Sequence, residues 1–88
     1  MIEREATIVN ALGLHARPAA ELVKVATKFE ADVEIIKDTV AVNAKSIMGV
    51  MMLAAEAGST VIFRASGNDA EAAVSALTTL VEKGFGEE

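Results

Sequence analysis

A chain of 88 residues has room for one compact domain, expected over residues 1–88, and its lack of cysteine excludes disulfides, thiolate nucleophiles and cysteine-based metal sites. Its net charge of −5, without a basic patch interleaved with aromatic residues, argues against binding to nucleic acid. No run approaches the roughly 20 apolar residues that span a bilayer, and the start MIEREATIVNAL is unlike a secretory signal. We therefore expect a cytoplasmic protein without direct membrane contact.

The first half of the chain predicts a strand, a helix and a hairpin. Residues 2–9 read as the first strand, and the helix begins near His15, with apolar residues at helical spacing as far as Phe29. Two short strands between residues 33 and 42 are split near Asp38 and Thr39. The geometry of that turn stays open, because β-branched Thr39 disfavours positive φ.

The second half predicts a helix, a strand and a last helix. Ser46 precedes a short apolar stripe that indicates a helix ending near Gly58, and residues 60–65 alternate as a strand. The order is thus β-α-β-β-α-β-α. Because every helix has one apolar face, we expect an antiparallel or mixed sheet covered on one side by helices.

The last helix has the clearest pattern. Asn68 is predicted as its N-cap, and Glu71 three residues later is typical of a capping box. Lys83 and Gly84 mark its end, because cations and glycine are favoured there.

His15 is the only histidine, and it lies where a glycine-containing loop meets the start of the first helix. The first amides of a helix lack internal partners and its dipole is positive there, which favours an anion such as phosphate. Arg17 adds a permanent cation that can bind two phosphate oxygens at once. Pro18 fits the first turn, where its missing N–H costs least. The loop therefore presents a nucleophilic ring beside an anion site.

The residues alone leave a second interpretation open for this loop. In that interpretation His15 only caps the helix and Arg17 is a solvated surface residue. A metal site is not expected in either case, because one histidine without cysteine cannot supply a usual ligand set.

A second segment, residues 43–51 with the sequence NAKSIMGVM, contains Ser46 in a position typical of an N-cap. Met48, Met51 and Met52 cannot all face inward on a helix of about two turns, because successive residues point about 100° apart. Some methionine must be exposed, and flexible methionine suits a surface that meets several partners.

The segment GLHARPAAELV and the segment around Ser46, at matching spacing, resemble the HPr family of phosphocarriers of the bacterial sugar phosphotransferase system. The resemblance covers essentially the whole chain. It implies an α+β open-faced β-sandwich, in which three helices cover one side of a four-stranded antiparallel sheet. It also implies that His15 accepts phosphate on Nδ1 from enzyme I and passes it to sugar-specific enzyme II A components, with Arg17 as phosphate partner. Such a protein is a stoichiometric carrier rather than an enzyme, and no cofactor is implied.

The resemblance also assigns a regulatory site and a docking surface. In many bacteria a dedicated kinase/phosphorylase modifies the serine that matches Ser46, and in some lineages the modified form binds a catabolite-control transcription factor. The implied partner patch consists of Ala16, Ala20, Ile47, Met48 and Met51. Its basic rim consists of Arg17, Lys24 and Lys45. We expect acidic partner surfaces.

Three alternatives to the sugar carrier are considered. The first is a carrier for a nitrogen-related or regulatory phosphotransferase branch without sugar transport. The second is a non-phosphorylated binding module of the same fold, but loss of the histidine would mark it and His15 is present. The third, an independent enzyme, has little to build on in one histidine, no cysteine and no carboxylate-lined pocket motif. A monomer is expected.

Overall fold

The computed structural model describes residues 1–86, so Glu87 and Glu88, the last residues of the predicted domain, lie outside the described part. The elements follow the predicted order. Their bounds are β1 Ile2–Thr7, α1 Ala16–Ala26, β2 Asp32–Lys37, β3 Val40–Asn43, α2 Ile47–Met52, β4 Thr60–Ser66 and α3 Ala70–Glu82, followed by a 3₁₀ turn at Gly84–Gly86. In this part of the chain no helix is both long and apolar enough to cross a membrane.

Within residues 1–86 the four strands form one antiparallel sheet in the order β1-β4-β2-β3. Alternate residues of the central strands, such as Val33 and Ile35 on β2 and Val61 and Phe63 on β4, are buried against the helices. The helices contribute their apolar stripes to the same core, with Leu77 of α3 fully buried. The predicted open-faced α+β sandwich is therefore confirmed.

The other face of the sheet carries a row of charged side chains. Glu3 on β1, Arg64 on β4 and Glu34 on β2 lie side by side in the strand register. Arg64 Nε donates to Glu3 Oε2 at 2.8 Å, and Arg64 Nη1 donates to Glu34 Oε1 at 3.3 Å. The hydrogen bond to Glu3 is the largest contribution that raises the pKa of Arg64. Glu5 and Asp32 alternate onto this face too, so it carries four carboxylates and one guanidinium among the described strand residues.

The predicted N-cap of the last helix is wrong. α3 begins at Ala70, and its N-cap position is Asp69, not Asn68. The Asp69 side chain does not cap the helix, because its carboxylate accepts from Glu30 N at 2.9 Å and from Ala31 N at 2.8 Å. The Glu30 amide is the main cause of a lowered pKa of Asp69, followed among the lowering causes by the Ala31 amide. A tertiary contact thus replaces the local cap.

Other predicted helix features also differ from the structure. α2 ends at Met52 and not near Gly58. Glu71, expected to complete the capping box, instead accepts from Arg4 Nη2 at 3.1 Å. α1 ends at Ala26, and Phe29 packs against the core from beyond the helix. The end of α3 is as predicted, with Gly84 in the left-handed region at φ 66 after the C-cap Lys83.

The hairpin between β2 and β3 has a turn of two residues. Lys37 pairs with Val40 across it, and Asp38 adopts φ 56 whereas Thr39 stays outside the left-handed region. Aspartate tolerates this conformation better than a β-branched residue does, so the positive φ falls on the residue that can bear it.

Candidate functional site

His15 occupies the N-cap position of α1 and is half-buried. Its backbone is extended, with φ −78 and ψ −172, and its side chain makes no capping hydrogen bond. Its carbonyl accepts from Ala19 N at 3.0 Å, which is the first bond of the helix. The His15 side chain therefore does not cap the helix, although the residue occupies the N-cap position and Arg17 is exposed, as the second interpretation expects. The imidazole lies at the positive end of α1, where the first helical amides, Ala16 N and Arg17 N, have no acceptor within the helix.

The loop before His15 is held by short hydrogen bonds. Gly13 N donates to Asn10 O at 3.1 Å, and Asn10 Nδ2 donates to Gly13 O at 2.8 Å. Leu14 is buried, and its amide donates to Ala55 O at 2.9 Å. His15 is therefore presented by an ordered turn that rests on the segment after α2.

Arg17 and the other predicted α1 residues form the exposed side of that helix. Ala16, Arg17, Ala20 and Lys24 are all exposed. Their spacing places them on neighbouring turns of one side, which begins beside His15. Pro18 is buried in the first turn and fixes the backbone there.

The α2 helix presents methionine to solvent. Met48 and Met52 are each 76% exposed, Ile47 and Met51 are also exposed, and Val50 is buried. This confirms the prediction that the methionines cannot all face inward. Met52 lies four residues after Met48 on the same side, so helical spacing could have added it to the predicted patch.

Leu12 is a second exposed apolar residue that the sequence interpretation missed. It is 75% exposed in the loop three residues before His15. α1 and α2 pack against each other, so their exposed sides are neighbours. An exposed leucine in a loop has no periodic pattern that would reveal it.

Ser46 is the N-cap of α2, as predicted. Its Oγ accepts from Gly49 N at 3.1 Å, and its own amide donates to Asn43 O at 3.1 Å. Lys45 is half-buried, and its Nζ donates to Phe29 O at 2.8 Å. Phe29 lies beyond the C-terminal end of α1, so the Lys45 ammonium is not brought together with the Arg17 end of that helix.

The comparison with known families is decisive. The model of the PTS HPr component phosphorylation site matches residues 2–83. The chain belongs to the HPr family. This membership carries the general role of a phosphocarrier in the phosphotransferase system. Among residues 1–86, no group of three histidine, cysteine or acidic residues gathers as metal ligands.

Individual HPr relatives match over nearly the whole length. The phosphocarrier protein HPr of Cupriavidus necator is 48% identical over 87 residues, covering 99% of this chain and 98% of the relative. The HPr-like protein Crh of Halalkalibacterium halodurans is 45% identical, covering 94% and 99%. The phosphocarrier protein NPr of Shewanella violacea is 40% identical, covering 98% and 94%.

The fold of HPr also matches at the level of coordinates. The crystal structure of HPr-C-His from Thermoanaerobacter tengcongensis is similar with a TM-score of 0.96 and 49% identity, covering 100% of this chain and 99% of that one. The β-α-β-β-α-β-α order and the antiparallel sheet are thus those of HPr.

Proposed function

We propose that this protein, as a single domain, accepts a phosphoryl group from phospho-enzyme I on Nδ1 of His15 and passes it to sugar-specific enzyme II A components for sugar uptake. The observation that carries the proposal is His15 at the N-terminal end of α1, beside exposed Arg17, in a chain of the HPr family. The protein is a stoichiometric carrier: each chain takes one phosphoryl group and gives it up again.

The chemistry needs a nucleophilic nitrogen and a place for negative charge. The lone pair of His15 Nδ1 forms a new N–P bond while the bond between phosphorus and the donor breaks. Negative charge on the three phosphoryl oxygens is stabilised by the positive end of α1, including the amides of Ala16 and Arg17. The Arg17 guanidinium adds a charge-assisted donor pair. Pro18 keeps the first turn fixed, so these groups need little reorganisation.

Docking is assigned to the exposed sides of α1 and α2, which lie next to His15. The apolar part is the predicted patch of Ala16, Ala20, Ile47, Met48 and Met51. Arg17 and Lys24 form its basic rim, which suits acidic surfaces on enzyme I and the enzyme II A components. Lys45 joins the rim only if its ammonium leaves the Phe29 carbonyl, which it contacts at 2.8 Å.

Ser46 is proposed as the site of an HPr kinase/phosphorylase. A phosphate on Ser46 lies at the start of α2, where helix amides tolerate negative charge, and next to Ile47 and Met48 in the patch. It therefore leaves the fold intact and repels an acidic partner. The modified form is also the one that we expect a catabolite-control transcription factor to bind.

The test is incubation with enzyme I and labelled phosphoenolpyruvate. We expect label that is labile in acid and absent from His15→Ala. Arg17→Ala should slow the transfer, whereas Lys28→Ala, an exposed cation beyond the other end of α1, should not. Acid-stable label, or label that survives His15→Ala, would contradict the proposal.

A second candidate is a carrier for a nitrogen-related branch, favoured by the 40% identity to NPr of Shewanella violacea. Parallel incubation with the enzyme I of each branch separates the two. Faster phosphorylation by the nitrogen-related enzyme I would favour the second candidate. We propose a monomer, which size-exclusion chromatography of both phosphorylation states can check.

A further inference from the structure

The loop that carries His15 rests on a backbone surface formed by residues 54–56, which we call the seat. Ala55 O accepts from Leu14 N at 2.9 Å. A Cβ added to Gly13 would lie 2.3 Å from Ala55 O and 2.9 Å from Glu56 Cα. Gly13 also has φ 67, which favours glycine. The loop and the seat therefore meet backbone to backbone, without space for a methyl group.

The seat is itself held on both sides. On one side α2 ends at Met52, and Ala54 N donates to Met51 O at 3.1 Å while Ala54 adopts φ 51. On the other side Glu56 N donates to Ser59 Oγ at 3.1 Å, and Ser59 N donates to Glu56 O at 2.9 Å. Left-handed φ at alanine is unfavourable and persists only where surrounding contacts determine it. The seat is thus a defined turn and not an adaptable loop.

The chain between β1 and the loop is joined to the same region. Ile8 N donates to Ser59 O at 2.8 Å, and Gly58 N donates to Ile8 O at 2.7 Å. The approach of Gly13 to the seat is therefore one contact in a continuous set between residues 8–14 and 55–59.

The backbone of His15 is constrained from both neighbours. The preceding amide, Leu14 N, is bound by Ala55 O, and the carbonyl of His15 accepts from Ala19 N in α1. We propose that Gly13 and the Ala55 carbonyl are positioning groups for phosphoryl transfer: their close approach sets the imidazole at the N-terminal end of α1. This inference rests on the proposed function of His15.

The seat also connects two parts of the site. It begins directly after Leu53, the C-cap of α2, the helix that carries exposed Met48 and Met52. The same turn therefore fixes the docking helix and the His15 loop relative to each other. A partner that docks on α2 meets an imidazole whose position is already determined, which is what rapid transfer requires.

The test compares two glycine-to-alanine variants, one in the His15 loop and one after α3. Gly13→Ala and Gly86→Ala both add a methyl group at positive φ, but the Cβ of Gly86 meets no atom within 4 Å. Only Gly13→Ala forces the loop and the seat apart, by about 1 Å before ordinary contact at 3.4 Å is reached. Both variants should lower Tm through backbone strain. Only Gly13→Ala should lower kcat for transfer from enzyme I, by about tenfold to a hundredfold, with KM little changed.

A spectroscopic readout and a second variant complete the test. Hydrogen exchange of the Leu14 amide should be faster in Gly13→Ala than in Gly86→Ala, because its acceptor, Ala55 O, is displaced in Gly13→Ala. If Gly13→Ala does not fold, a synthetic chain with the α-hydroxy acid of leucine at position 14 removes the same hydrogen bond without a methyl group. That chain should show the same loss of kcat.

The outcomes separate this inference from the proposed function. A wild-type protein that takes no phosphate from enzyme I would overturn the proposed function and the inference with it. The inference alone would be overturned if the wild-type protein transfers normally and a folded Gly13→Ala variant also has wild-type kcat. Wild-type kcat in the chain with the α-hydroxy acid of leucine at position 14 would overturn it in the same way. An equal loss of kcat in Gly86→Ala would also overturn it.

Discussion

The N-cap of α2 offers a test whose size follows from one contact. Ser46→Ala removes the Oγ that accepts from Gly49 N at 3.1 Å in a half-buried position. Replacement of a serine N-cap by alanine lowers the free energy of unfolding by about 0.5–2 kcal/mol. For this single hydrogen bond we expect a loss of about 1 kcal/mol. α2 has only six residues, so the cap serves a large share of its backbone donors. In a domain of this size, that free energy lowers Tm by roughly 4–8 °C.

Urea unfolding of Ser46→Ala measures this loss, with an unchanged m value expected because the folded core is the same. Ser75→Ala is the matched control: the same atoms are removed from an exposed position within α3, where alanine is a better helix former. Ser46→Asp should keep wild-type stability, because aspartate also caps helices. A stability of Ser46→Ala within about 0.3 kcal/mol of wild type, or an equal loss in Ser75→Ala, would refute the role assigned to the cap.

Two further variants test the docking patch and the acid response. Met48→Glu should slow phosphoryl transfer from enzyme I but change the free energy of unfolding by less than about 0.5 kcal/mol, because Met48 is 76% exposed. Its control is Val40→Glu, which makes the same change at an exposed apolar position on β3. Unchanged transfer in Met48→Glu would argue against the patch. Asp69→Asn should be less stable than wild type at pH 7, because the Glu30 amide first, and the Ala31 amide after it, lower the pKa of Asp69 in the folded state. That stabilisation is fully present above the ordinary pKa of 3.8 and is lost as the pH falls through the pKa of the folded state. The Tm values of Asp69→Asn and wild type should therefore converge in acid. A difference in Tm that persists in acid would contradict this prediction.

The order of elements could be predicted from hydrophobic spacing, but several boundaries could not. The residues next to Asn68 in sequence favour it as the N-cap of α3. The chain instead places Asp69 at the cap position and directs its carboxylate to Glu30 N and Ala31 N, which lie 39 and 38 residues away in sequence. α1 likewise stops at Ala26 although its apolar spacing continues. The contact of Asp69 is tertiary, and local patterns do not encode it. After α1 the chain continues in local turns, in which Lys28 N donates to Val25 O at 3.1 Å.

Site residues that belong to a sequence motif could be predicted, whereas those that depend on a tertiary contact could not. His15 and Ser46 occupy the helix starts that their sequence context indicates. Lys45 was expected at a rim of cations, and only the fold brings its ammonium to the Phe29 carbonyl. The approach of Gly13 to the seat depends on Ala55, which lies 42 positions later in the sequence, and no spacing of residue types indicates it.

The unequal charge of the two faces of the sheet has a consequence for encounters in solution. Among the described strand residues, the open face carries Glu3, Glu5, Asp32 and Glu34 and the cation Arg64, whereas the exposed cations Arg17 and Lys24 lie on a helix of the opposite face. These charges by themselves produce a field that is negative at the open face and positive at the exposed side of α1. An acidic protein that approaches is turned away from the open face and rotated toward the helices before any contact forms. A carrier that must meet several proteins in succession thereby shortens its rotational search, and higher ionic strength should lengthen it again.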